Sequence, residues 1–244
     1  MGCFVNKNGA KKTHRRSPSH DDLSKDCGEN GLKTAADSGI IKGKPGGPAI
    51  ITVQERGIPM KRIVLLGDSI RVIGYGPIVP ALLGEGYDVW QPGDNGRYSV
   101  YTLHSLMHCW QNDIAGADVI HWNNGLWDVQ RGTDGHPLAP LPDYLHTMTR
   151  IADILLEQTK VLIYATTTPV TAVHPDISNA DIDAYNAALV PLLREKGVLI
   201  NDLHAAVAAD IGRYVRKDDN IHLTEDGNTL CAALTADLIR SAAE

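Results

Sequence analysis

The chain has 244 residues, of which 43% are hydrophobic and 21% are charged, and its formal net charge is -6. This size and composition are ordinary for one globular α/β domain, and no apolar run is long enough to span a membrane. The charge is uneven, because residues 1–58 carry 10 Lys/Arg against 6 Asp/Glu whereas the remainder carries 13 against 23. An acidic main segment argues against nucleic-acid binding, since phosphate neutralisation requires positive charge.

Residues 1–58 are rich in Gly, Lys, Ser, Asp, Asn and Pro and show no apolar periodicity. Such a segment cannot bury enough apolar surface to offset its ordering entropy, so we predict a disordered basic tail before a folded domain at 59–244. The Met-Gly-Cys start could accept a myristoyl group on Gly2 and a palmitoyl group on Cys3, next to a basic cluster. Asn6 departs from the Ser or Thr that this motif prefers.

The four cysteines lie far apart and match no zinc-ligand spacing. Reduced thiols are therefore expected, and the N-terminus lacks the apolar segment of a secretory signal. Both features predict a cytoplasmic protein, with peripheral membrane attachment through Gly2 and Cys3 as the alternative.

From residue 61 onward, short apolar segments alternate with helical ones. Strands are predicted at 62–66, 87–90, 118–122, 161–165 and 198–201, and helices near 77–84, 100–112, 142–158, 179–196, 203–212 and 224–242. Strands so rich in Val, Ile and Leu are typical of a parallel sheet that is covered on both faces. The alternation predicts a three-layer α/β/α sandwich around a mainly five-stranded parallel sheet, with ligands at the carboxyl ends of the strands.

Ser69 directly follows the first predicted strand, within Gly67-Asp68-Ser69. A serine hydroxyl becomes a nucleophile when a neighbouring base takes its proton. His222 is the candidate base, and Asp219, three residues earlier, can bind its Nδ1–H. Each has an ordinary alternative, since Ser69 could cap a helix and Asp219 could belong to a solvated run of charges. Their order on an α/β pattern favours a catalytic triad.

Acyl transfer also requires donors for the oxyanion. The candidates are the Ser69 amide, the glycine-containing loop at 93–99, and the two amides Asn123 and Asn124 at the end of the third predicted strand. Two asparagines before a glycine are also an ordinary turn signal. Their place at the carboxyl end of a strand favours a role in the site.

Together these residues resemble the SGNH (GDSL-type) hydrolases over roughly residues 61–242. The four blocks that carry the resemblance are Gly67-Asp68-Ser69, Gly96, the segment 123–128, and the segment 219–222. The resemblance implies a flavodoxin-like three-layer fold and hydrolysis of carboxylic esters through an acyl-serine, without a metal or another cofactor. It also favours short acyl groups, including acetyl groups on carbohydrate.

Two departures from the family pattern concern the oxyanion hole. Trp127 stands where the third block usually has Asn, so the amide is predicted at Asn123, with Asn124 as the alternative. Ser99 could take the place of Gly96. The chain has no Gly-x-Ser-x-Gly elbow at Ser69, which argues against the ordinary α/β-hydrolase fold.

Other polar and aromatic residues give weaker signals. Trp122 and Trp127 could line an acyl or sugar pocket, although core packing is equally expected of them. His104 and His108 have the i, i+4 spacing of a metal pair but lack the accompanying Glu of zinc proteases, so no metal site is predicted. His174 and Asp176 could contact substrate, but solvent exposure is expected.

The sequence thus predicts a serine esterase whose partner is a small-molecule or carbohydrate ester. One alternative is an acyltransferase with the same triad. The other is a catalytically idle interaction module tethered by an acylated N-terminus, against which the intact Ser69, Asp219 and His222 argue. The oligomeric state stays open.

Overall fold

The structure is a computed structural model that describes residues 60–244. The predicted tail and the predicted acylation of Gly2 and Cys3 lie outside the described residues. None of the helices within residues 60–244 is both long and apolar enough to cross a membrane.

Five parallel strands form one sheet in the order β2-β1-β3-β4-β5. The strands are β1 Lys61–Leu66, β2 Tyr87–Trp90, β3 Ala117–Trp122, β4 Thr159–Ala165 and β5 Leu199–Asn201. Each lies within one or two residues of its predicted position. The central pair is in register from Ile63 opposite Val119 to Leu66 opposite Trp122.

Nine helices follow the chain through residues 60–244. They are α1 Val79–Leu83, α2 Ser99–His108, α3 Gln111–Ile114, α4 Leu126–Val129, α5 Leu141–Leu156, α6 Asn179–Glu195, α7 Leu203–Ala208, α8 Ile211–Tyr214 and α9 Glu225–Ala243. A π-helical segment, Ile70–Tyr75, is interrupted at Gly74 and precedes α1. Helices α2, α5 and α6 pack together, whereas α1, α7 and α8 pack on α9. With the sheet between the two groups, the predicted three-layer α/β/α sandwich is confirmed.

Local sequence signals set the ends of several helices. The Ser178 hydroxyl accepts from the Asp181 N–H at 3.1 Å at the start of α6, and Gly197, with φ of 81°, follows its end, so the helix lies within one residue of the predicted 179–196. The predicted helix at 203–212 is instead divided into α7 and α8. The helix is divided because the Asp210 carboxylate accepts from the Arg213 N–H at 3.1 Å and caps the start of a new helix.

The core lies along both faces of the two central strands. Ile63, Val64, Leu65 and Leu66 of β1 are completely buried, as are Val119 and Ile120 of β3. Burying an aliphatic side chain of this size contributes about 1.5–3 kcal/mol. The buried central strands therefore hold in fixed positions the residues that follow their carboxyl ends. These are Gly67 after β1 and Asn123 after β3.

A buried carboxylate joins α4 to the start of α2. Asp128 accepts from the Ser99 hydroxyl at 2.6 Å and from the Ser99 N–H at 3.0 Å, so it satisfies the first amide of α2. Burial raises the pKa of Asp128 to about 7, although the hydrogen bonds from Ser99 act in the opposite direction.

This raised pKa makes stability depend on pH. The protonated Asp128 is favoured in the folded state, so its contribution is complete below the unfolded pKa of about 4 and is lost as the pH rises through about 7. Between pH 5 and 7 we expect the wild-type free energy of unfolding to fall by about 2 kcal/mol more than that of Asp128→Asn. Urea titrations at several pH values measure this. Exposed Asp88 supplies the control, since Asp88→Asn should follow the wild type; parallel curves for Asp128→Asn would contradict the expectation.

Candidate active site

Ser69 begins the helical turn that follows β1. The carboxylate of Asp68, not the Ser69 hydroxyl, caps this turn, because Asp68 Oδ1 accepts from the Ile70 N–H at 3.0 Å. Ser69 makes no side-chain capping bond, so the helix-cap alternative for it is wrong. As the first residue of the turn, Ser69 also has a backbone N–H without a partner inside the helix.

Asp219 and His222 form a hydrogen-bonded pair within one short loop. His222 Nδ1 lies 3.0 Å from Asp219 Oδ2, and Asp219 Oδ1 accepts from the backbone N–H groups of Ile221 at 3.1 Å and of His222 at 3.0 Å. Asn220 takes a left-handed conformation, with φ of 64°, that lets the loop close over so few residues. Burial acts to raise the pKa of Asp219, but the hydrogen bonds from Ile221 and His222 bring it down to about 2. The carboxylate is therefore ionised when it holds the imidazole.

The other ring nitrogen of His222 shares a cleft with Ser69. His222 Nε2 is buried and makes no hydrogen bond to Ser69 or to any other residue in the range 60–244. The cleft is lined by Ser69, Ile70, Ile73, Gly74, Arg216, His222, Leu223 and Asn228. Two chain segments separated by some 150 residues thus meet at one surface.

The loop that carries His222 is fixed at both ends. The Arg216 N–H donates to the His222 carbonyl at 2.8 Å, and the Thr171 hydroxyl, from the segment after β4, donates to Asn220 Oδ1 at 2.7 Å. The Arg216 guanidinium also lies 3.6 Å from Asp219. Sequence reasoning did not identify Arg216 or Thr171, because only the folded chain brings them to the loop.

Asn123 lies directly under the Gly-Asp-Ser turn. Its Oδ1 accepts from the Tyr75 hydroxyl at 2.9 Å, and its Nδ2 donates to Asp68 Oδ1 at 2.8 Å. A Cβ atom on Gly67 would lie 1.9 Å from Asn123 Oδ1, so only glycine fits there. Burial raises the pKa of Asp68 to about 6, against the hydrogen bonds from Asn123 and Ile70.

The other predicted oxyanion donors are already bonded within the protein. The Gly96 N–H donates to the Gly67 carbonyl at 2.9 Å, so this structure contradicts its role as a free donor. The Ser99 N–H, the alternative to Gly96, donates to Asp128. Asn124 is completely buried, with Nδ2 on the Arg97 carbonyl at 2.9 Å and Oδ1 accepting from Trp122 at 2.7 Å.

The two tryptophans differ in their surroundings. Trp122 is completely buried and packs on Tyr164 with ring centroids 5.0 Å apart, so the expectation that it lines a substrate pocket is wrong. A side chain that ends the central strand is enclosed by the layers on both sides. Trp127, in α4, is 36% exposed and is accessible to a ligand.

The weaker histidine signals have structural counterparts. His104 and His108 are both exposed, with ring centroids 4.7 Å apart. Within the described residues, no group of three or more His, Cys, Asp or Glu side chains is arranged to hold a metal ion. His174 Nδ1 accepts from the backbone N–H groups of Asp176 at 3.2 Å and of Ile177 at 3.0 Å, so it shapes its own loop.

A second, small cleft lies beside Asn123 at the carboxyl ends of the strands. It is lined by Asp68, Ile70, Tyr75, Asn123, Leu126, the three buried threonines at 166–168, and Leu203. We call it the threonine cleft. The Thr168 hydroxyl is buried in this region without a hydrogen-bond partner among the described residues. The sequence analysis did not identify these threonines as site residues.

Comparisons with known proteins identify solved structures of similar fold. An acetyl xylan esterase, AlAXEase, is 18% identical with a TM-score of 0.62, over 73% of this chain and 99% of that one. The acetylxylan esterase Axe2 from Geobacillus stearothermophilus is 18% identical with a TM-score of 0.62, over 76% and 96%. A lipase/acylhydrolase from Enterococcus faecalis is 20% identical with a TM-score of 0.62, over 75% and 96%. No protein-family model matches the sequence, and no curated protein matches it significantly.

These similarities show that the chain shares its fold with two acetyl xylan esterases and a lipase/acylhydrolase. The resemblance found in the sequence is thereby confirmed at the level of fold.

The contact at Gly67 has a measurable consequence. Gly67→Ala should lower the free energy of unfolding by about 2–4 kcal/mol, because the added methyl group overlaps the Asn123 amide and the backbone φ of 154° disfavours a side chain. Gly116 is the matched control, since it has φ of 69° but open space around the added Cβ. Gly116→Ala should cost only about 1 kcal/mol. Equal losses in chemical denaturation would show that the Asn123 contact does not matter.

Proposed function

We propose that this protein is a serine esterase in which Ser69 is the nucleophile, His222 the general base and Asp219 the residue that orients it. The observation that carries the proposal is the His222–Asp219 pair at 3.0 Å, whose free, buried Nε2 lines the same cleft as Ser69. The fold shared with esterases and an acylhydrolase agrees with this chemistry.

In the first half-reaction, Ser69 Oγ attacks the ester carbonyl and His222 Nε2 takes its proton. The ionised Asp219 stabilises the resulting imidazolium through Nδ1–H. His222 then gives the proton to the departing alkoxide, which leaves as the alcohol. The hydrogen bond between Ser69 and His222 forms with substrate, as such bonds often tighten only in the Michaelis complex.

In the second half-reaction, water attacks the acyl-serine. His222 takes one proton from the water and returns it to Ser69 Oγ as the acid is released. The same two groups therefore act in both steps, and Asp219 stays ionised throughout because its pKa is about 2.

The developing oxyanion requires donors that are fixed before the reaction. The Ser69 N–H and the second N–H of Asn123 Nδ2 are the donors we propose. Gly96, whose N–H is held by Gly67, contributes instead by close packing under the turn.

The substrate we propose is an ester of a short acyl group, carried by a small molecule or a carbohydrate. The threonine cleft beside Asn123 is small and is lined mostly by buried side chains, which favours a short acyl group over a long one. Two of the similar structures are acetyl xylan esterases by name, which agrees with an acetyl group on sugar. We propose that Trp127, which is 36% exposed, packs against a sugar ring.

Covalent labelling tests the nucleophile. Wild-type protein should react with a fluorophosphonate probe at one site, and Ser69→Ala should abolish the reaction, because the phosphonate traps an activated serine. The exposed Ser241 provides the control, and Ser241→Ala should label as the wild type does. Labelling is read by intact-protein mass spectrometry. The esterase proposal would be refuted if folded Ser69→Ala were labelled as strongly as the wild type, or if the wild type were not labelled at all.

Chain-length dependence tests the acyl site. Across p-nitrophenyl esters, kcat/KM should be highest for acetyl or propionyl and at least about tenfold lower for octanoyl, because we propose that the acyl chain enters the small threonine cleft. Steady-state assays at submicellar substrate concentrations measure the series. A preference that rises with chain length would place the acyl chain elsewhere, while labelling of Ser69 would still stand.

A further inference from the structure

A row of buried polar side chains runs beneath the candidate site from β5 to Asp68. It consists of Asn201, His121, Tyr75 and Asn123, none of which is more than 6% exposed, and we call it the buried relay. Unpaired polar groups are costly in such surroundings, so their partners determine how each side chain is held.

Consecutive contacts join the relay from end to end. Asn201 Nδ2 lies 3.1 Å from His121 Nε2, and His121 Nδ1 lies 3.5 Å from the Tyr75 hydroxyl. Tyr75 then donates to Asn123 Oδ1 at 2.9 Å, and Asn123 Nδ2 donates to Asp68 Oδ1 at 2.8 Å. At the far end, Asn201 Nδ2 also donates to the Thr235 hydroxyl of α9 at 3.0 Å.

The donors and acceptors give the relay one direction. An amide nitrogen such as Asn201 Nδ2 only donates, so His121 Nε2 must accept and the ring hydrogen must be on Nδ1. Tyr75 uses its own hydrogen on Asn123, which leaves its oxygen to accept from His121 Nδ1–H. Burial lowers the pKa of His121 to about 3, so the ring stays neutral at ordinary pH and keeps this single tautomer.

The relay ends on an amide that has little freedom left. Oδ1 of Asn123 is held by Tyr75 and faces the bare backbone of Gly67, while one hydrogen of Nδ2 is held by Asp68. Reversing the amide would set its nitrogen against the Tyr75 hydroxyl and its oxygen against the Asp68 carboxylate. One N–H of Asn123 therefore remains, in a direction set by the plane of the amide.

We propose that His121 and Tyr75 are positioning residues for ester hydrolysis: the His121 Nδ1–H directs the Tyr75 hydroxyl onto Asn123, and this fixes the amide N–H that receives the oxyanion. The proposal rests on the esterase function and on Asn123 as an oxyanion donor. His121 is completely buried and does not line the threonine cleft, whereas Tyr75 lines that cleft but gives its hydroxyl hydrogen to Asn123. Their effect is on the alignment of a donor, which acts in the transition state more than on substrate binding.

Tyr75→Phe tests this alignment by removing only the hydroxyl. It should lower kcat for p-nitrophenyl acetate by about tenfold or more while KM stays within about twofold, because a misaligned donor weakens transition-state stabilisation. Tyr185 provides the matched control, since it is also buried and its hydroxyl donates to the Ala139 carbonyl at 2.7 Å, outside the relay. Tyr185→Phe should keep kcat within about twofold.

The tautomer of His121 is a second readout that needs no substitution. In ¹⁵N-labelled wild-type protein, the His121 ring, assigned through its contacts with the Tyr75 ring 5.7 Å away, should carry hydrogen on Nδ1 alone. It should not titrate between about pH 5 and 8, where an ordinary histidine does. Hydrogen on Nε2, or titration in this range, would overturn the direction of the relay and with it the proposal.

A second variant covers the case in which Tyr75→Phe fails to fold. Asn201→Leu removes the amide that faces His121 Nε2 and leaves Tyr75 and Asn123 in place, so it should lower kcat with little change in KM. If neither variant folds, or if kcat in a folded variant matches that of Tyr185→Phe, the relay is only structural and the proposal is overturned.

These outcomes are separable from the esterase proposal itself. Wild-type protein that does not react with the fluorophosphonate probe refutes the esterase function, whatever the tautomer of His121. Wild-type protein that reacts normally while Tyr75→Phe keeps full kcat refutes only the positioning role.

Discussion

The site depends on one close approach of backbone, at Gly67. The carboxyl ends of β1 and β3 and the loop of Gly96 meet there, with the Gly96 N–H on the Gly67 carbonyl at 2.9 Å. Any Cβ on Gly67 would overlap the Asn123 amide. Because no side chain keeps these segments apart, Asn123 reaches Asp68, and Asp68 in turn caps the helical turn that Ser69 begins. The positions of Ser69 and of the Asn123 amide therefore depend on Gly67 having no side chain.

Much of the fold could be predicted because the signals for it are local. Apolar runs between polar helices determine the five parallel strands, and Ser178 and Gly197 mark the ends of α6 within the sequence itself. The pairing of Asp219 with His222 was predictable for the same reason, since three residues of spacing place the carboxylate beside the ring in a closed loop.

The sequence identified the candidate oxyanion donors and favoured Asn123 over Asn124, but tertiary contacts decide which of these amides are free. In the folded chain the Gly96 N–H is taken by Gly67 and Asn124 by Arg97 and Trp122, while Asn123 keeps one N–H. The burial of Trp122 and the relay through His121 likewise depend on which layers close over the sheet.

Ser69 and His222 lie far apart along the chain, so they are synthesised at different times. Among the strands of residues 60–244, β1 is synthesised first, yet Ser69 needs the loop between α8 and α9, which follows all five of these strands in the chain. On the proposed function, a half-made chain carries an inert hydroxyl and cannot attack esters around it. The hydroxyl gains its base only when the segment that follows the last strand has docked, so reactivity would report that synthesis of the sheet is complete.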